Sequence, residues 1–225
     1  MVCYRHPAEP KQSAGTINPP APWEECIMKR WSAFATAMLF VGVAAFSYSQ
    51  QASGQTDAGW VTLFDGKSLD NWTQIGDANW KLADGVVAAD KGNGFLVSKD
   101  SYGDFQIRAE FWVDDEANSG IFIRCTDPAK VTAKNAYEVN IFDKRPDPSY
   151  GTGAIVDTAK AGTVLKAGGK WNVYEITAKG PRFDVTLNGT KTVDGANDSQ
   201  HAKGNIALQY GAGVVKFRKV EIKPL

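Results

Sequence analysis

The chain has 225 residues, room for one large domain or two small ones, and its 25 basic residues balance 25 acidic ones. That balance argues against a nucleic-acid partner. Eleven per cent aromatics, 22 glycines and abundant Val, Ile and Thr describe a globular chain of strands and turns rather than helices.

Residues 1–27 are Pro-rich and aperiodic, with Asn18-Pro19-Pro20-Ala21-Pro22 at their centre, and read as disordered or as an untranslated extension upstream of a start at Met28. Met28-Lys29-Arg30, an uncharged run from Trp31 to Phe46, and then Ser47 to Ser53 follow the order of a secretory signal. A signal peptide is expected over residues 28–49, with Ser47 and Ser49 at the small positions of a cut before Gln50. The run is shorter than the roughly 20 residues of a membrane span, and no cysteine follows it to take a lipid. Export to the periplasm or medium, without a membrane anchor after cleavage, is the expectation. Residues 50–59 form a flexible lead-in, and one domain occupies 60–225. Cys125 is the one cysteine of that domain and reads as a buried small hydrophobe, because its only histidine, His201, lies in a polar segment with no pattern of a nucleophile site.

Within the domain the apolar period is two. Phe105 to Val113 carries apolar side chains at odd positions and Gln106, Arg108, Glu110 and Trp112 at even ones. Asn118 to Arg124 sends Ile121 and Ile123 one way and Asn118, Gly120, Phe122 and Arg124 the other. Tyr137 to Phe142 faces Tyr137, Val139 and Ile141 inward, with Glu138 and Asn140 outward. Further strands run from Trp171 to Ala178 and from Phe183 to Leu187, then through the tight turn Asn188-Gly189 to Val193. Asn205 to Tyr210 and Val215 to Ile222 complete the set; in the latter the parity slips between Phe217 and Val220, which predicts a bulge. A turn near Asp127 to Lys130 is the most helix that the pattern allows. The fold class is all-β, a sandwich or jelly roll of antiparallel strands.

If these strands share one sheet, its outer face collects Arg108, Glu110, Trp112, Phe122, Arg124, Glu138, Asn140 and Gln209. Polar residues are ordinary on a solvated face, but aromatic rings among forked donors and carboxylates are how a groove grips a sugar. The segment from Asp143 to Gly153 is a long loop at the end of the strand bearing Glu138, where ligand contacts concentrate, and Asp143 opens it.

Seven short motifs stand in order: Trp60 to Leu69 with Asn71-Trp72; Asn118 to Arg124; Tyr137 to Asp143; Gly169-Lys170-Trp171-Asn172; Leu187-Asn188-Gly189; Gly204 to Gln209; and Phe217-Arg218. Together they resemble the 3-keto-disaccharide hydrolase family. The resemblance implies a concanavalin A-like jelly roll with a ligand groove on its concave face, lined by Arg124, Glu138, Asn140 and Asp143. Asn140 departs from the family's usual glutamine, and Tyr210 stands where a histidine is often found. The opening motif reads as architectural, with Trp60, Phe64 and Trp72 in the core and a turn at Asp65-Gly66.

The implied function is cleavage of 3-keto-glycosides by elimination and hydration, with a sugar as the small-molecule partner. Such chemistry needs a base near C2, a cation or donors at the developing enolate oxygen, and an acid for the leaving group. Glu138 is the expected base, Arg124 the enolate stabiliser, and Asp143 a second acid/base or metal ligand; Asn140, Trp112, Phe122, Arg108, Glu110, Asn118 and Gln209 would bind substrate. Two alternatives are a non-catalytic, lectin-like sugar-binding module and a conventional two-carboxylate glycosidase. For the latter, Glu138 and Asp143 would lie about 16 Å apart on an extended strand, beyond the roughly 5 to 9.5 Å that such pairs span, which leaves Glu110 with Glu138. The sequence requires no cofactor; oxygen ligands such as Glu138 and Asp143 would suit Ca²⁺ or Mg²⁺.

Overall fold

The computed structural model describes residues 58–225, so the upstream extension, the signal segment and most of the lead-in lie outside the described residues. Thirteen strands are present among the described residues. They are β1 Val61–Phe64, β2 Trp72–Gly76, β3 Lys81–Ala83, β4 Val86–Ala89, β5 Gly94–Tyr102, β6 Phe105–Val113 and β7 Ser119–Cys125. After these come β8 Tyr137–Ile141, β9 Lys170–Lys179, β10 Arg182–Leu187, β11 Thr190–Asn197, β12 Gly204–Tyr210 and β13 Val215–Pro224. One sheet has the order β11-β10-β9-β6-β13-β4-β3, with β1 also paired to β13; the other has the order β2-β5-β12-β7-β8. All strand pairings within these sheets are antiparallel.

Alternation decides the layers. Phe105, Ile107, Ala109, Phe111 and Val113 of β6 point inward, as do Ile121 and Ile123 of β7 and Tyr137, Val139 and Ile141 of β8, all within one buried cluster. The Asn188-Gly189 turn has φ of 50° and 78° at its two residues, the left-handed pair a two-residue hairpin requires. The expected slip in the last strand is a bulge between Phe217 and Lys219. Phe64 and Trp72 are core residues and Trp72 Nε1 donates to Leu63 O at 2.8 Å. Trp60, expected beside them, instead lies outside, its ring 4.6 Å from the Arg108 guanidinium carbon.

Two further sequence expectations fail. First, β6 belongs to the eight-stranded sheet, whereas β7, β8 and β12 form the other. The short connection between β6 and β7 crosses from one layer to the other, so the outer faces of these strands point away from each other. Arg108, Glu110 and Trp112 are therefore on the opposite side of the core from Glu138, and a Glu110–Glu138 pair cannot form. Second, Arg124 does not continue the parity of Phe122. Between Phe122 and Cys125 the register on β7 advances three residues while β12 advances two, from Ala207 to Asn205. Arg124 takes up the extra residue at φ 53°. Gly204 sits opposite, where an added Cβ would come within 2.4 Å of the Arg124 carbonyl carbon.

The bulge drives the Arg124 side chain into a buried corner, where it is 1% exposed. Its Nε donates to Gly103 O (2.8 Å), one terminal nitrogen to Gly180 O (2.7 Å) and His201 O (3.3 Å), and the other to Asp104 Oδ1 (2.9 Å). Burial pushes its pKa down and Asp104 pushes it back up. Arg124 thus ties the β5–β6, β9–β10 and β11–β12 connections together. Arg124→Ala is expected to lower stability by about 2–3 kcal/mol, since it empties a fully buried site and leaves part-buried carbonyls without their donor; urea melts check this.

Candidate functional site

The site lies on the outer face of the five-stranded sheet. Gly120 of β7 is paired with Asn140 of β8, and Phe122 with Glu138. On the other side of β7, Leu208 pairs with Ile121 and Ala207 with Phe122, a register that carries Gln209 to the side of Gly120. Glu138, Asn140 and Gln209 therefore surround a glycine. A Cβ on Gly120 would stand 3.1 Å from Glu138 Cγ and 3.2 Å from its Oε1, so the absence of a side chain there lets the carboxyl lie over the sheet.

Glu138 makes no side-chain hydrogen bond or ion pair among the described residues. Burial pushes its pKa up to about 7; Arg145 pulls the value down and Asp157 pushes it up. Both of these neighbours come from the loop after β8. The stretch 153–156 lies along the free edge of β8: Asn140 N–H donates to Ala154 O (3.0 Å), Gly153 N–H to Asn140 O (3.0 Å), and Val156 N–H to Glu138 O (2.9 Å). Directly after it Asp157 turns at φ 58°, which brings this carboxylate to the strand edge beside Glu138. Arg145 is half-buried and has no side-chain hydrogen bond or ion pair among the described residues.

Asn140 and Gln209 each present a buried side-chain oxygen, Oδ1 and Oε1, with no hydrogen-bond partner. Asn140 is oriented by its side-chain amide nitrogen, which donates to Tyr150 O at 2.7 Å, and its backbone carbonyl accepts from the Tyr174 hydroxyl at 2.6 Å. Burying an acceptor without a donor costs about 1–3 kcal/mol, so two of them beside an unpaired carboxyl mark a surface shaped for a donor-rich ligand. A sugar hydroxyl is such a donor.

Other expected residues are elsewhere or otherwise engaged. Asn118 stands at the rim, its backbone bridged to Ala212. Phe122 is 2% exposed, packed edge-on against Phe95 with centroids 5.3 Å apart in a small apolar cluster with Val131 and Cys125, so it is no open stacking platform. Cys125 is fully buried and its thiol pKa is pushed up by that burial, which opposes a nucleophilic role. Asp143 is a loop brace: it accepts from Thr152 Oγ1 (2.5 Å), Ala167 N–H (2.9 Å) and Gly168 N–H (2.9 Å). Both its oxygens are occupied by these donors, which leaves it unsuited to act as a metal ligand or second acid. Among the described residues no three His, Cys, Asp or Glu side chains are grouped to hold a metal ion.

The sequence pattern of the 3-keto-alpha-glucoside-1,2-lyase-like domain matches residues 59–223. The chain belongs to this family. Two solved structures from Parabacteroides distasonis, both described as candidate glycosyl hydrolases, are similar to this lyase-like domain. One is 29% identical with a TM-score of 0.61, over 74% of this chain and 99% of that one. The other is 20% identical with a TM-score of 0.67, over 74% and 94%. A carbohydrate-binding module, CBM66 from Bacillus subtilis, shares the fold at 20% identity and a TM-score of 0.55, over 68% and 95%. No curated protein matches the chain. The lyase-like domain is thus a carbohydrate-active all-β sandwich.

Glu138, Asn140 and Gln209, grouped on one outer face by strand parity, do lie together, while Arg145 and Asp157 beside Glu138 are not among the residues the sequence singles out. Arg145 lies in the loop that the sequence places after β8, and Asp157 falls beyond that loop's Asp143–Gly153 bounds, where no motif or parity singles it out.

Two outcomes test the site. Because the Glu138 pKa is raised above its unfolded value, the folded state holds a proton that the unfolded chain releases, and this costs stability as pH rises from about 4.5 through about 7. Glu138→Gln should therefore stabilise the domain above pH 7, by up to about 3 kcal/mol, and give no gain below pH 4; melting temperatures across pH check this. Gly120→Ala should push the carboxyl off the sheet and cut sugar binding at least tenfold while the far-UV circular dichroism stays unchanged.

Proposed function

We propose that this domain, in an exported protein, cleaves 3-keto-glycosides by elimination across C1 and C2 followed by hydration. The observation that carries the reading is Glu138, an unpaired carboxyl whose pKa lies near 7 beside two unpaired acceptors. A C3 ketone acidifies the C2 proton. Glu138 takes that proton, the C–H electron pair becomes an enolate and then the C1=C2 bond, and the C1–O bond breaks. The departing oxygen regains a proton from the now neutral Glu138, and water adds across the double bond to give the free 3-keto-sugar. A single carboxyl with a pKa near the working pH serves both transfers, because the donor and acceptor forms are then similarly populated.

Arg145 fits the role of cation at the enolate oxygen, the role the sequence pattern had given to Arg124. Asn140 Oδ1 and Gln209 Oε1 would accept hydroxyls and orient the ring. Asp157 tunes Glu138 by like-charge repulsion and so acts as a positioning residue.

The test is turnover of a 3-keto-disaccharide beside the ordinary disaccharide, with C2-deuterated substrate. Cleavage of the keto-sugar alone, with loss of the label, is expected. Glu138→Gln should lower kcat by about 10²–10⁴-fold. The wild-type rate should rise as Glu138 loses its proton near pH 7 and level off above; Asp157→Asn should move that limb to lower pH and Arg145→Gln to higher pH. Sugar binding without any turnover would instead establish a lectin-like module.

A further inference from the structure

The outer face of the eight-stranded sheet takes no part in the Glu138 site. One transverse row on it reads Trp171, Trp112, Lys216, Ala88, Lys81, through direct pairings of each with the next. With neighbouring strands about 4.8 Å apart, the row is about 19 Å long. The next row holds Glu110 on β6. Opposite it the β13 bulge sets two residues against one, and both Arg218 and Lys219 are exposed there.

The tryptophans hold the cations. Lys216 Nζ lies 4.5 Å from the Trp112 ring centroid, and the Arg218 guanidinium carbon 4.2 Å from that of Trp171 while also pairing with Glu110. Each such contact contributes about 0.5–1 kcal/mol on an exposed surface and restricts a long side chain before any ligand arrives. Lys216 and Lys81 have no carboxylate partner among the described residues. The result is a local excess of positive charge, framed by half-exposed indoles, on a chain whose net charge is zero.

We infer that this face is a second glycan-binding surface, for a polysaccharide containing uronic acids. Ring carboxylates would meet Lys216, Lys81 and Arg218, and the apolar C–H faces of the sugars would pack on Trp112 and Trp171. The mixed signs select a glycan over a nucleic acid. Glu110, and Glu175 and Glu221 flanking Arg108 in the row beyond, call for hydroxyl donors, which a sugar presents on every ring and a DNA backbone does not. The core separates this face from Glu138, so the inference stands whether or not Glu138 is catalytic.

Titration of the purified domain with polygalacturonate, a neutral glucan and single-stranded DNA, followed by tryptophan fluorescence at two salt concentrations, tests it. Polygalacturonate should bind, more weakly at high salt, and at least tenfold more tightly than the other two. The double variant Trp112→Ala/Trp171→Ala and the double charge reversal Lys81→Glu/Lys216→Glu should each weaken it at least tenfold, whereas Glu138→Gln should not. The charge reversal alters exposed or half-exposed groups and guards against misfolding in the tryptophan variant; thermal melts report on both. Equal binding of the neutral glucan, tighter binding of DNA, no binding at all, or wild-type binding by the folded charge-reversal variant would each overturn the inference.

Discussion

The apolar layer in which Phe105, Ile107 and Phe111 from one sheet meet Ile121, Val139 and Leu208 from the other is the constraint on which the other features depend. Because side chains alternate along a strand, filling that layer forces every second residue outward, and two sheets offer two outward faces that never meet. One carries Glu138, Asn140 and Gln209 around Gly120. The other carries the tryptophan and lysine row. Both are by-products of the same alternation, and their chemistry differs because the residues left over differ.

Where the alternation breaks, function or bracing follows. On β7 the extra residue at Arg124 converts an outward arginine into a buried strut across three connections. On β13 the extra residue doubles the cations opposite Glu110. The same geometric device has opposite outcomes because the Arg124 side chain turns over the Phe183 ring and among the Gly103, Gly180 and His201 carbonyls, while β13 at its bulge faces solvent.

The edge of β8 is the third determinant. An edge strand leaves backbone groups unpaired, and here the stretch 153–156 takes them up. That pairing holds the loop close enough for Arg145 and Asp157 to act on Glu138, and Asp143, spent on Thr152, Ala167 and Gly168, keeps the loop in place. Burial sets the Glu138 pKa, and the loop charges adjust it in opposite directions.

Much of this was legible in the residues alone. Period-two alternation defined β6, β7, β8 and β12, the Asn188-Gly189 pair defined the hairpin, and the slipped parity near Phe217 announced the bulge, since each is a local property of the backbone and its burial. The ordered motifs pointed to the family and to Arg124, Glu138, Asn140 and Asp143 as groove residues, and strand parity put Glu138, Asn140 and Gln209 on one outer face. What the chain did not disclose locally was the partner of each strand. Only the tertiary structure separated Arg108, Glu110 and Trp112 from Glu138, because assignment of a strand to a sheet depends on long-range pairing that its own pattern does not encode. Only it turned Arg124 inward, because a single left-handed residue is invisible in composition. And only it set Lys81 and two tryptophans in one row with Lys216, because net charge is a sum and a surface is an arrangement.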